Sequence, residues 1–378
     1  MEVEKLRVLH CAALLSPPSG ILSQMHSERE AAEALGLDWT VKMYCPGNGQ
    51  GDGEVIHYDN TINVASLDAR FGKLMAWIKL RRNYHRWLLQ QQDKVDIFLL
   101  RYYVHDPYQL AFVRTCKKPV LFVHHTLEVP ELVLPGGLSG LVRSRLELLL
   151  GRPTISASSG VIGVTQEIVN YELERVGCAD KPKWVYPNGI VFRDLEINDR
   201  RSRDVPELLF VANFAPWHGL DILLEEVARS DDEFVLHLVG AVPEDLSSKV
   251  KDARIKVHGQ LDQSQIAELS QRCWVGLSSF ALFRNKMKQA CPLKVREYLM
   301  LGLPVYGDYQ DVFPFDAPYF MRGSARVPEI LEFCHRTRAL KKGDVIYMAR
   351  SNIDKQALLR RLYESLAKFP FLYRAPHA

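Results

Sequence analysis

The sequence predicts an α/β protein of two domains, each built on a parallel sheet with crossover helices. Three observations carry this expectation. The chain has 378 residues, more than one ordinary core holds and comfortable for two. Short β-rich apolar runs alternate with helical segments, the pattern of strand–helix–strand units. The alternation then pauses over residues 190–206, "IVFRDLEINDRRSRDVP", which are polar and aperiodic and read as a linker.

Before the linker, strands are expected at 7–11, 40–45, 96–101, 119–124 and 160–165, and "KWVYPNGI" (183–190) reads as a strand running into a Pro-Asn-Gly turn. The first helix is expected to begin near Ser23 and to stop at Gly36, a residue suited to the C-terminal position. After the linker, strands are expected at 207–214, 234–240, 254–259, 274–279 and 303–308. Helical patterns lie between them at 220–229, 264–272 and 292–301, and a last one runs over 353–369. The domains therefore span 1–189 and 207–352.

Composition narrows the function. Hydrophobic residues make up 47% and charged residues 25%, the balance of an ordinary soluble globular protein. A formal charge of +3 counts against a nucleic-acid partner, since such proteins carry a stronger positive bias. The seven cysteines are scattered and never form C-x-x-C, so neither a disulfide framework nor a zinc site is expected and a reducing compartment fits. The start, "MEVEKLRVLHCAALL", has two glutamates before a broken apolar run, unlike a signal peptide. No stretch approaches the roughly 20 apolar residues of a membrane span. A cytoplasmic protein is expected. Asp-x-Asp, G-x-S-x-G and Walker A patterns are absent, and no metal site is expected.

Open parallel sheets bind ligands beyond the carboxyl ends of their strands, where helix N-termini offer free N–H groups. The strongest constellation there is 285–307, "NKMKQACPLKVREYLMLGLPVYG". Pro292 suits a helix start. Leu293 and Lys294 then present amide groups and one cation at a positive helix end, a combination that favours a diphosphate. Glu297 follows a little over one turn later, where a carboxylate can accept both hydroxyls of a ribose. The plain alternative is a capped amphipathic helix with one solvated glutamate.

"PLKVREYLMLGLPVYG" resembles the nucleotide-binding helix of the retaining glycosyltransferases of family 4, which have the two-domain GT-B fold. Other segments match in order: "PPSGILSQMHSEREAAEALGLD" (17–38) the glycine loop and first helix, "PVLFVHHTLEVPE" (119–131) the strand whose following histidine faces the transferred sugar, "GVIGVTQEIVNYELERVG" (160–177) and "YPNGI" (186–190) the approach to the linker, "LLFVANFAPWHGLDILLEEV" (208–227) the phosphate loop, and "VHGQLDQSQIAELSQRCWVGLSS" (257–279) the segment before the donor site. The likeness covers most of residues 6–310. It implies two Rossmann-like domains whose sheets face across a cleft, with the last helix, within 353–378, returning to the first domain.

The resemblance implies a donor site of Gly20, Asn213, His218, Gly219, Lys286, Leu293, Lys294 and Glu297, with His125, Gln289 and Lys294 at the reacting centre. Three positions depart from the family pattern. Asn213 and His218 stand where an arginine and a lysine are usual, and histidine is only partly charged near neutral pH. Gln289 replaces the first of two glutamates, although an amide still donates and accepts hydrogen bonds. Gly20 also reads as an ordinary Pro-Gly turn, and Asn188-Gly189 as a structural one. His124 rivals His125, because strand alternation points adjacent side chains opposite ways; the match over "FVHHTLE" favours His125.

The implied reaction moves a sugar, with retention and without metal or other cofactor, from a nucleoside diphosphate sugar to a hydroxyl of a glycan, a lipid-linked molecule or a small molecule. The rivals are a nucleotide-sugar epimerase of the same fold and a non-catalytic partner subunit, the latter favoured by Asn213, His218 and Gln289. Residues 69–92, "ARFGKLMAWIKLRRNYHRWLLQQQ", hold six cations and no acid with apolar residues interleaved. They read either as a core-packed helix with a basic face or as a helix that lies on anionic lipid, giving a peripheral location on the cytoplasmic membrane face.

Overall fold

The computed structural model describes residues 5–47, 55–58, 69–134, 136–192, 198–201 and 204–369. The chain forms two compact units, Met1–Pro187 with Lys355–Ala378, and Asn188–Asp354.

The first unit runs β1 (Val8–Ala13), α1 (Ser19–Ala34), β2 (Trp39–Pro46), β3 (Val55–Tyr58), α2 (Ala69–Gln91), β4 (Ile97–Arg101), α3 (Pro107–Thr115), β5 (Val120–His124), α4 (Glu128–Val133), α5 (Gly137–Ala157), β6 (Gly160–Gly163), α6 (Gln166–Glu174) and β7 (Lys183–Val185). The second runs β8 (Glu207–Val211), α7 (Leu220–Arg229), β9 (Val235–Val239), β10 (Ile255–Gly259), α8 (Gln263–Ser270), β11 (Val275–Leu277), α9 (Leu293–Met300), β12 (Val305–Gly307), β13 (Phe320–Arg322), α10 (Val327–Thr337) and α11 (Lys342–Ile353). The chain then re-enters the first unit through α12 (Lys355–Ala367).

Among the described residues, the first sheet has the order β3-β2-β1-β4-β5-β6-β7 and the second β10-β9-β8-β11-β12-β13. The paired strands are parallel throughout. Both orders place the first strand of the unit beside the fourth, which is the doubly wound arrangement. The central strands carry near-continuous apolar runs because helices cover both faces; β1 and β5 are buried along their whole length.

Local chemistry sets the helix ends. Asp106 caps α3 by accepting from the Tyr108 amide, with Pro107 in the first turn, and Thr165 caps α6 through the Ile168 amide. Gly36 ends α1 in the left-handed region, φ 61°.

The structure corrects three expectations. The first helix begins at Ser19 rather than near Ser23, because Pro18 already has the extended geometry of a helix cap and its carbonyl accepts from the Ile21 and Leu22 amides. The expected helix 353–369 is α12, Lys355–Ala367; it starts two residues later because Ile353 still belongs to α11 and Asp354 bridges to Ile190. The segment expected as linker is tied into the second unit where it is described. The Ile190 amide donates to the Ile353 carbonyl at 2.9 Å, the Arg200 amide to Gln271, and Arg201 to the Leu340 carbonyl. Residues 193–197 and 202–203 of that segment lie outside the described residues. No helix among the described residues is long and apolar enough to cross a membrane.

Candidate functional site

In the second unit β8 and β11 are neighbours, and the chain leaves them toward opposite edges of the sheet. Ligand sites in such sheets lie at the carboxyl ends of the two strands that part in this way. Residues 212–219 follow β8, and residues 278–292 lead from β11 into α9.

These two loops are zipped together. The Phe280 amide donates to the His218 carbonyl at 3.0 Å and the Ala281 amide to Trp217 at 3.3 Å. Gly219 makes the approach possible: its φ is 70°, and a Cβ there would stand 3.0 Å from the Ala281 nitrogen and the Phe280 carbonyl carbon. Arg284 locks the junction from outside, donating to the Pro216 carbonyl at 2.6 Å and gripping Asp221 with two bonds of 2.9 and 2.7 Å.

Helix α9 closes the crevice. Tyr298 is buried, and its hydroxyl accepts from the Val211 amide at 2.7 Å. Gly276 leaves room for the ring, since a Cβ would approach Tyr298 to 2.5 Å. Behind the helix start, Arg296 and Asp311 form a fully buried pair, and Arg296 also donates to the Asn188 carbonyl at 3.2 Å. The Asn188 side chain donates to the Cys291 carbonyl at 2.7 Å, so the Asn188-Gly189 turn anchors the approach to α9.

Lys294, in the first turn of α9, has a buried Nζ with no hydrogen-bond partner among the described residues. The ammonium lies 4.8 Å from the centre of the Phe210 ring, and burial lowers its pKa to about 7. A buried cation without a countercharge is costly, and the first amides of a helix lack helical acceptors as well. One anion at this position would answer both deficits. Glu297, one turn on, is partly buried; its carboxylate has no hydrogen-bond or ion-pair partner among the described residues, and burial raises its pKa.

His218 departs from expectation. Burial, reinforced by the Lys294 charge, pushes its pKa down to about 3. Its Nδ1 accepts from the Ala215 amide at 3.0 Å, which leaves the hydrogen on Nε2. The residue is therefore a neutral donor near pH 7, not a partial cation. Asn213 is exposed just beyond β8, and Lys286 is exposed with a left-handed φ of 57°. Gln289 bridges Gln310 through the main chain, and its side-chain amide donates to the Gln310 Oε1 at 3.4 Å.

Gly20 and His125 belong to the first unit. Gly20 is exposed in the first turn of α1 rather than in the preceding loop. His125 follows β5, has no hydrogen-bond partner among the described residues, and is held neutral by burial, with Arg101, His10, His124 and Lys355 adding to the effect. Its neighbour His124 points the other way in role. It is fully buried, stacks on Tyr102 with ring centres 4.4 Å apart, and lies 3.2 Å from Glu128 and 3.6 Å from Glu172. Burial and the charges of Glu131 and Glu147 raise the Glu128 pKa to about 8. Arg175 neutralises the rest of this group by pairing with Glu147 and Glu172.

Among the described residues, no three His, Cys, Asp or Glu side chains are placed to hold a metal ion.

Residues 205–306 match the family described as glycosyl transferases group 1. Solved structures similar to almost the whole chain include the apo form of the lipopolysaccharide outer core galactosyltransferase WaaB, at 10% identity and TM-score 0.64 over 96% of this chain and 100% of that one. Another is Anabaena Alr3699/HepE in complex with UDP, at 14% identity and TM-score 0.63 over 96% and 100%. A third is an alpha-glucosyltransferase in complex with UDP-glucose and DNA containing an abasic site, at 9% identity and TM-score 0.59 over 97% and 100%. The fold is GT-B. None of the curated proteins matches by sequence.

Several residues that shape the site were not singled out by sequence. Tyr298 follows Glu297 directly, and its hydroxyl at an otherwise apolar helix position was the available signal. Arg284 and Asp221 are 63 positions apart, and nothing local in the sequence couples them.

Proposed function

We propose that the protein transfers a sugar from a nucleoside diphosphate sugar to a hydroxyl acceptor. The observation that carries this reading is the buried, unpartnered Lys294 ammonium at the start of α9, at the strand parting where the doubly wound sheet binds ligands. The diphosphate takes the Lys294 charge, the His218 Nε2–H and the amides of Leu293 and Lys294. Glu297, whose acceptor capacity is unused, takes the ribose hydroxyls. By the family resemblance Gly20, Asn213, Gly219 and Lys286 complete the donor site, and His125 and Gln289 act with Lys294 at the reacting centre.

In the transfer, the bond from the anomeric carbon to the diphosphate oxygen breaks and a bond to the acceptor oxygen forms. The acceptor proton passes to the leaving phosphate, with the configuration retained. Lys294 and the helix amides stabilise the charge that develops on the departing diphosphate. The reaction uses no metal or other cofactor, and the acceptor is a glycan, a lipid-linked molecule or a small molecule. Support for the nucleotide comes from Anabaena HepE in complex with UDP-glucose and from the family match over 205–306.

The test is a thermal-shift and calorimetric titration of the full chain with UDP, GDP, ADP and their glucose conjugates. One nucleotide should stabilise the protein by mass action. Glu297→Gln should weaken it about tenfold or more, through loss of a charged acceptor, without lowering the melting temperature. If no nucleotide binds, or if Glu297→Gln and Lys294→Met bind as the native chain does, the reading fails. Glu297→Ala and His125→Ala should each abolish product formation. The neutrality of His218 favours a second reading, a non-catalytic partner subunit; unchanged product formation in cells carrying these two variants would select it. An epimerase would convert the donor alone into a new nucleotide sugar.

A further inference from the structure

Helix α5 is inside out. Its buried positions are Gly140, Ser144, Glu147, Gly151, Thr154 and Ile155, mostly small or polar. Its exposed positions include Leu138, Leu141, Val142, Leu146, Leu148 and Leu149, with Leu138 and Leu149 77% and 70% exposed. A surface helix ordinarily turns its apolar stripe to the core.

The buried side explains how such a helix is held. Glu147 accepts from the Tyr102 hydroxyl at 2.7 Å and from the His105 amide at 2.6 Å, and pairs with Arg175. Gly140 lets α4 approach closely, since a Cβ there would stand 2.6 Å from the Leu132 carbonyl oxygen. Polar anchoring thus fixes the helix and leaves its leucines outward. An exposed apolar patch of this kind marks an interaction surface. Val133 and Leu134 at the end of α4 are exposed as well.

Charge identifies the partner. Arg143, Arg145 and Arg152 are exposed on α5, and the only acid of the helix, Glu147, is buried beneath it. Apolar side chains interleaved with cations fit the boundary between acyl chains and anionic headgroups. A second copy of the chain fits poorly, because two such helices face to face would oppose arginines with no exposed acid of α5 to pair them.

The basic stretch 69–92 forms a separate feature, α2, which packs one face on the core and exposes Lys73, Leu74, Met75, Arg82 and Arg86. Helix α2 places Leu80, Tyr84 and Leu88 in the core, and its Arg81 is buried against Asp106 at 2.5 Å and over the Tyr103 ring at 3.9 Å. The side chains of Arg70 and Phe71 lie outside the described residues.

We infer that the protein docks on an anionic membrane surface through the outward face of α5, with its leucines entering the interface and its arginines contacting the headgroups. This is independent of the proposed chemistry.

The experiment is flotation of the full chain with vesicles of phosphatidylcholine alone and of phosphatidylcholine mixed with phosphatidylglycerol. The expected result is binding to the anionic vesicles, weakened by salt. Replacing Leu138 and Leu149 by serine should lower the partition about tenfold per residue. Arg145→Ala with Arg152→Ala should lower it about fivefold per residue. Both pairs are exposed, so the melting temperature and nucleotide binding should stay native. Absence of binding to anionic vesicles, or binding that survives both pairs of substitutions, overturns the inference. So does a dimer in solution that the serine variant dissociates, which would make a second copy the partner.

Discussion

The Val211 amide donates to the Tyr298 hydroxyl at 2.7 Å, so a side chain of α9 completes the hydrogen bonding at the end of β8. Strand β11 pairs with β8 only at Leu208 and Leu209, which leaves the Val211 N–H facing the place where the strands part. A tyrosine fills it, and the helix that carries Lys294 and Glu297 is thereby fixed to the sheet.

Tyr298→Phe leaves that partly buried amide without its acceptor. The expected cost is about 1–3 kcal/mol of stability, read from denaturant unfolding, together with weaker nucleotide binding as α9 loses its register. Native affinity in a destabilised variant would separate the helix position from the site.

Lys294→Met removes a buried, uncompensated amine while keeping most of its apolar stem. The variant should melt higher than the native chain near neutral pH and lose nucleotide binding. The pH dependence follows from its lowered pKa, about 7 against 10.5 for a free lysine. Between these values the unfolded chain holds a proton that the folded chain lacks, so the Lys294 penalty is full below pH 7 and is relieved as pH rises. An anion bound beside the amine restores its proton. Calorimetry at pH 8 in buffers of different ionisation enthalpy should show proton uptake when the native chain binds nucleotide; a binding heat independent of the buffer would remove Lys294 as the partner of the anion.

Glu128 gives the opposite slope in the first unit. Its folded pKa of about 8 lies above the ordinary 4.5, so between these values the folded chain holds the extra proton and stability falls as pH rises. Glu128→Gln should therefore match the native melting temperature near pH 4.5 and exceed it above pH 8. Equal melting at both ends would remove burial, and the like charges of Glu131 and Glu147 beside it, as the cause of the raised pKa.

Glu28 marks the acid limit. Burial would raise its pKa, but His10 at 2.6 Å, Lys355 and the Trp39 indole outweigh burial and bring it to about 2. Its stabilising effect is present above pH 4.5 and is lost as pH falls toward 2. That depression corresponds to about 3 kcal/mol. Glu28→Gln should be much less stable at pH 6, with a flatter melting curve between pH 4.5 and 2.

The repeating elements of both units were legible because period and punctuation agree: α7 occupies the expected 220–229 and β10 the expected 254–259 to within a residue. What the sequence hid was non-local. Strand β3, Val55–Tyr58, was not expected, since a short strand at a sheet edge has no periodicity of its own. His218 was read as a titrating group because its burial comes from residues distant in sequence. Helix α5 was not singled out, because its leucines look like core and its buried glutamate looks like surface until the fold assigns the faces. Lys294 and Glu297 were legible from the order proline, lysine, glutamate at a helix start, a local signal. That no described residue supplies Lys294 with a hydrogen bond or a countercharge is a tertiary fact.

The contact between Lys355 and Glu28 also orders the birth of the molecule. Residues 188–354 lie between the two parts of the first unit, so on a translating ribosome the early strands wait about 10–30 s for the helix that carries Lys355. The intervening unit is continuous and has all its strands available first. The first unit therefore completes its core after the second has been synthesised, and until then the apolar surface that Leu358, Leu359, Leu362 and Leu366 cover stays open.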